Sequence, residues 1–120
     1  MSILIETVKL PERGPLKIRL DVTAMINVTA EEARRKVSVF AGNEIADLLS
    51  GEMPDLVWQN DQTYWRVPVV LSSRSMGRIG RVGFVDVDVE MGELLLSDEL
   101  IGEIEENAQR FAARTVSHCA

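Results

Sequence analysis

The stretch Tyr64–Leu95, YWRVPVVLSSRSMGRIGRVGFVDVDVEMGELL, leaves this chain few folds to choose from. Thr63–Leu71 alternates, with Trp65, Val67, Val69 and Leu71 on one side and Tyr64, Arg66 and Pro68 on the other. That is the period of a half-buried strand. Proline has no N–H, so Pro68 belongs at an edge, a bulge or a non-bonded position. Ile79–Val89 reads as a second long strand whose phase changes part-way: Val82 and Phe84 suggest one inward face, and Val85, Val87 and Val89 the other. A β-bulge near Gly80 and Gly83 would reconcile the two. Ser72–Arg78 connects the strands as a loop. Val89-Glu-Met-Gly92 then makes a tight turn into Glu93–Leu96, with Gly92 supplying the positive φ such turns need. Strands joined by turns this short pair antiparallel.

Two helices flank this meander. Thr29 can cap the first, and Glu32, three residues on, completes a capping-box pattern. Ala33, Val37, Phe40, Ala41, Ile45 and Leu48 recur at three- and four-residue steps and predict one core-facing stripe. Glu31–Arg35 and Glu32–Lys36 are spaced for i,i+4 ion pairs. Gly51 is expected as the C-terminal cap and Pro54 as the stop. Ser97 or Asp98 begins the last helix, which should run to about Arg114 with Ile101, Ile104, Ala108, Phe111 and Ala112 inward. The tail 115–120 is expected to fray.

Ile3–Leu10 reads as a strand, Pro11–Pro15 as a turn, and Leu16–Val22 as an alternating strand. These two strands predict an N-terminal hairpin, with a single apolar edge arm as the alternative. Leu56–Gln59 is a short strand. The expected order is ββαββββα: a two-layer α+β domain, an antiparallel sheet with helices packed mainly on one face. Its core should unite Trp65, Val67, Val69, Val85 and Val87 with Phe40 and Ile45.

A chain of 120 residues is expected to be one domain and buries roughly two thirds of its unfolded surface. Its net charge of −6 argues against nucleic acid, because phosphate binding needs net positive surface. No apolar run is long enough for a transmembrane helix, and the N-terminus lacks signal-peptide features. A single cysteine, Cys119, cannot form an internal disulfide, which fits a reducing compartment and predicts a cytoplasmic protein.

The helix start Thr29-Ala-Glu-Glu-Ala-Arg34, the strand Tyr64-Trp-Arg-Val67 and the hairpin Val87-Asp88-Val-Glu-Met-Gly92-Glu-Leu94 resemble a PepSY-type domain. Met91 stands where that pattern usually carries threonine. The resemblance implies a non-catalytic module that binds or inhibits a protein.

Charge marks the candidate surfaces. Gln62–Val85 holds four arginines and no acid; Asp86–Glu106 holds nine acids and no base. Arg74, Arg78 and Arg81, interleaved with Gly77, Gly80 and Gly83, are the binding candidates. Guanidinium groups beside free backbone N–H groups can grip phosphate or carboxylate. Alternatively, these arginines sit in a solvated hairpin loop and pair with the acidic turn or the last helix. Asp86, Asp88 and Glu90 alternate as a hard cation site would, or as a solvated acidic face does. His118 and Cys119 are too few for a zinc site. Trp58, Tyr64 and Trp65 read as packing residues. No catalytic, cofactor or metal motif stands out, so the expectation is a non-enzymatic module that needs no cofactor. It would engage a protein partner, or itself as a homodimer, through a sheet face or edge. The alternatives are an antitoxin-like acidic partner of a basic protein and a small-anion binder that uses the arginine loop.

Overall fold

The structure is a computed structural model that describes residues 3–5, 13–15, 21, 23–59 and 61–119, with side chains described through residue 113 from residue 13 on. Its elements are β1 (Ile3–Ile5), α1 (Ala30–Glu44), β2 (Leu49–Gly51), β3 (Asp55–Gln59), β4 (Gln62–Ser73), β5 (Gly77–Asp88), β6 (Leu94–Leu95) and α2 (Asp98–Cys119). Among the described residues the sheet has six strands, in the order β1-β3-β4-β5-β6, with β2 also on β4. The expected α+β class and helix-on-sheet layering hold. All pairings are antiparallel except at one edge, where β1 runs parallel to β3. The strand expected at Leu16–Val22 lies outside the described residues.

β4 is the spine of the sheet. One of its edges pairs with β3 over Gln62–Arg66 and with β2 over Val69–Leu71. Pro68 falls in the gap between those partners, where its carbonyl accepts from the Glu52 N–H at 2.9 Å and no N–H is demanded of it. On the other edge, β5 carries the expected irregularity. The register with β4 slips between Val69 and Val70 and again between Leu71 and Ser72, so that Val82 and Ile79 are each an extra residue on β5. The first bulge puts Val82 on the same side as Val85, Val87 and Val89, and all four are buried. Phe84, expected to share the face of Val82, points to the opposite one and is partly exposed.

The core lies between the sheet and the helices. Trp65, Val67, Val69, Leu71, Val85 and Val87 meet Ala33, Val37 and Ala41 of α1 and Ile104 and Ala108 of α2. The buried Trp65 indole donates to the Val28 carbonyl at 2.7 Å. No described polar or charged residue is buried.

The stripe of α1 needs three corrections. Its buried line is Ala33-Val37-Ala41, while Phe40 and Ile45 are only half-buried. The helix ends at Glu44, with Ile45 as its cap, so the exposed Leu48 belongs to the turn that follows. Gly51 caps nothing; it lies in β2, directly beneath α1. A Cβ on Gly51 would stand 2.9 Å from Val67 Cγ1 and 3.0 Å from the Arg34 carbonyl oxygen. The helix backbone comes this close because its facing residues are small, and Phe40 has no room below it. The Gly51 N–H donates to Ser38 Oγ at 2.8 Å, a helix-to-strand clasp.

α2 uses the same device on β5. A Cβ on Gly83 would meet Ile104 Cγ1 at 2.7 Å, and one on Gly80 would meet the Phe111 ring at 3.3 Å. Asn107 Nδ2 donates to the Val82 carbonyl at 2.9 Å. The helix continues past the expected end at Arg114, and the side chains of the expected frayed tail lie outside the described residues. Both helices start with a hydroxyl cap: the Glu32 N–H donates to Thr29 Oγ1 and the Leu100 N–H to Ser97 Oγ, each at 3.1 Å.

Candidate functional site

The three candidate arginines do not converge. Arg74 sits exposed in the β4–β5 turn. The Arg78 guanidinium spans β4 to Glu52, donating to its two carboxylate oxygens at 2.9 and 3.2 Å. That hydrogen bond, with the charge behind it, raises the Arg78 pKa. Arg81 lies exposed on β5, in register with Val70. Gly80 and Gly83 are not part of an open loop, since α2 covers them. Of the supposed glycine-rich cradle only Gly77 remains, at the hairpin turn with φ 72°.

The least exposed ion pair among the described residues lies elsewhere, on the sheet face away from the helices. Register aligns Asp55, Arg66, Asp86 and Leu95 in one row across that face. Arg66 grips Asp86 with two parallel hydrogen bonds, at 2.9 and 3.1 Å. Its guanidinium carbon stacks 4.4 Å from the centroid of the Phe84 ring. Val57 and Val70 on this face are buried as well. The face therefore offers Phe84 and Leu95 rather than the broad apolar surface that binding through a sheet face would use.

The acidic candidates have separate roles. Asp86 is held by Arg66. Asp88 Oδ1 accepts the Glu90 and Met91 N–H groups at 2.8 and 3.3 Å, shaping the turn into β6. In the same turn the Gly92 N–H donates to the Asp88 carbonyl at 2.9 Å, and Gly92 adopts φ 72°. Glu90 lies exposed beyond the strand. Among the described residues no group of three His, Cys, Asp or Glu side chains is arranged to hold a metal ion. Trp65 is core, and Trp58 and Tyr64 are half-buried in the sheet. His118 and Cys119 have side chains outside the described residues.

A different feature emerges in the helix layer. α1 and α2 each rest on the sheet and scarcely touch one another. Between the turn that leaves α1 and the middle of α2 a cleft of about 580 Å³ opens. Leu71 lies at its base; Ile45, Ala46 and Leu48 form one wall, and Ala108 and Ala112 the other. Asp47 and Glu105 stand on opposite rims, and neither has a hydrogen-bond or ion-pair partner among the described residues. A neighbouring hollow of about 550 Å³ on the outer side of α1 joins Val39 and Phe40 to Leu94 of β6. The cations beside it are engaged: Arg35 faces Glu31 at 3.6 Å, and Lys36 donates to the Gly92 carbonyl at 3.0 Å.

Reasoning on the sequence counted Leu48 and Ala112 as core and so missed this cleft. The signal was the size of the stripe residues. Ala108 and Ala112 are too small to close the space between two helices that dock at separate glycines.

No described helix is long and apolar enough to cross a membrane. A scan against protein-family models finds no match, and searches of curated proteins and of solved structures return no significant match.

Proposed function

We propose that this chain is a non-catalytic protein-interaction module that works in the cytoplasm and presents its helix layer to a partner. The single observation behind this reading is the open cleft over Leu71, with apolar walls and, at its rim, two carboxylates that have no partner among the described residues. The helices of a two-layer domain bury their apolar stripes against the sheet. Here the helix layer stops short, and apolar side chains line a concave surface suited to another chain's side chains. The resemblance of the Thr29 helix start and the Asp88–Gly92 turn to PepSY-type modules fits the same role.

The reading as an acidic neutralising partner of a basic protein gains from one further observation. At the cleft the acids have no partner among the described residues, while the cations of the adjoining hollow, Arg35 and Lys36, have internal partners. Arg74 and Arg81 remain as exposed accessory charge at the hairpin end. Their dispersal gives no support to a small-anion site.

The test is co-purification of the tagged chain from its native cells, comparing the wild type with Leu48→Ser. Leu48 is 46% exposed, so serine there should not disturb folding. A partner that is retained by the wild type and depleted by the variant supports the reading. Sedimentation of the isolated chain tests the homodimer that this reading also allows. If no partner is retained and only monomer sediments at tens of micromolar, the interaction-module reading fails.

A further inference from the structure

We infer that the cleft between α1 and α2 receives an amphipathic helix with basic flanks, contributed by a different protein. The inference rests on the interaction-module reading and names the chemistry of its partner. Its walls, Ile45, Leu48 and Ala108, and its base, Leu71, are apolar and can take the large aliphatic side chains of one helix face. Asp47 on the α1 side and Glu105 on α2 flank those walls from opposite sides. A helix laid between them would set residues three and four positions apart toward each rim. Lysine or arginine at those positions would meet a carboxylate on either side. Both carboxylates lack described partners, so binding breaks no ion pair.

Charge also selects among occupants. An acidic or neutral helix would leave Asp47 and Glu105 unpaired at a newly dried rim, which costs free energy. A basic one neutralises them, and the chain's net charge of −6 speeds its approach. Arg74, an exposed base, lines a separate hollow with Leu48 and Asp47, and Arg110 of α2 is paired with Glu106.

The probe is a synthetic helix-forming peptide of leucine and lysine, about 15 residues long, long enough to become helical on binding. Its leucines follow the i, i+3, i+4, i+7 pattern, and a leucine–glutamate peptide of the same pattern is the comparison. Fluorescence anisotropy is measured on the full chain at low and at raised salt. The leucine–lysine peptide should bind and the leucine–glutamate peptide should not. Leu48→Ser should weaken binding roughly tenfold, as loss of an apolar anchor does. Asp47→Asn combined with Glu105→Gln should also weaken it and flatten the salt dependence. Glu90→Gln combined with Glu93→Gln, at the other end of the sheet, should leave it unchanged.

Equal weakening by the Glu90/Glu93 pair would overturn the inference, because attraction to an acidic chain would then explain everything. Undiminished binding to the Leu48→Ser variant would overturn it too. A homodimer that Leu48→Ser dissociates and the peptide does not compete with would show that a second copy fills the cleft. If a native partner is retained equally by wild type and Leu48→Ser, the cleft is not its site; the interaction-module reading survives and this inference does not.

Discussion

α1 and α2 cover the same sheet face but are held to it in different ways. α1 approaches with its backbone: the Arg34 carbonyl lies over Gly51, Ser38 takes the Gly51 N–H, and Ala33, Val37 and Ala41 fill the contact. α2 approaches with side chains: Ile104 sits on Gly83 and the Phe111 ring on Gly80, while Asn107 ties down the Val82 carbonyl. A backbone contact is stiff and demands small residues on both sides. A side-chain contact is adjustable in proportion to how exposed that side chain is. Because the helices anchor on strands to either side of β4's C-terminal half, they stand apart there, and the cleft over Leu71 results.

The largest effect should come from the main anchor of α2. Ile104 is fully buried, and Ile104→Ala should cost about 2–5 kcal/mol in chemical denaturation. Phe40→Ala, on the half-buried edge of α1, should cost less than the roughly 3–5 kcal/mol of a fully buried ring. If Phe40→Ala proves the costlier change, α1 carries its load through its outer edge and the contrast drawn here is wrong.

The glycines sharpen the comparison. Gly51→Ala forces a methyl against the Arg34 carbonyl and should destabilise by about 1–3 kcal/mol. Gly80→Ala meets only the half-buried Phe111 ring at 3.3 Å. The ring can shift, and alanine in a strand gains roughly 0.5–1 kcal/mol over glycine, so this variant should be near neutral. Equal loss of melting temperature in both variants would mean that the Phe111 contact is as stiff as the backbone one.

The caps should be equivalent. Thr29→Ala and Ser97→Ala each remove one hydroxyl acceptor at the same 3.1 Å geometry, and each should cost about 1 kcal/mol. A much larger loss for Ser97 would show that α2 depends on its first turn more than on its glycine contacts.

The smallest effects are electrostatic. Mutating Arg74, Arg78 and Arg81 together to alanine removes one exposed ion pair and should change stability by about 0–1 kcal/mol. The start of α1 also carries a pH dependence. The hydrogen bond from Arg34 holds the Glu31 carboxyl below its ordinary 4.5; partial desolvation opposes this, and the charges of Arg34 and Arg35 add to it. A carboxyl whose pKa is lower in the folded state stabilises above its unfolded value and loses that contribution as pH falls through the folded one. Acid titration of stability should therefore show a component that Glu31→Gln abolishes.

Much of this was legible before any coordinates. Alternation placed Trp65, Val67, Val69 and Leu71 on one face, Thr29 announced α1, Gly92 the turn, and the phase change in β5 its bulge. These signals are local, set by a backbone period or by the conformation of one residue. Gly51 misled because glycine after a helix most often caps it; here it admits a helix arriving from above. The surroundings of the arginines were not legible, because the charge string carries no record that Glu52, 26 residues upstream, reaches Arg78, or that Phe111 lies over Gly80.

The sequence by itself determined the long strands β4 and β5, the helix starts, the two-layer class and the separation of basic from acidic stretches. Each of these follows from side-chain period and local backbone preference, which act within a few residues of one another. Tertiary structure alone decided where α1 ends, which valine the bulge turns inward, and that the two helices stay apart. These outcomes depend on close approach between segments far apart in the chain: α1 on Gly51, and α2 on Gly80 and Gly83. A glycine's missing side chain becomes a docking surface only when another element occupies the space, and no local pattern records which element that will be.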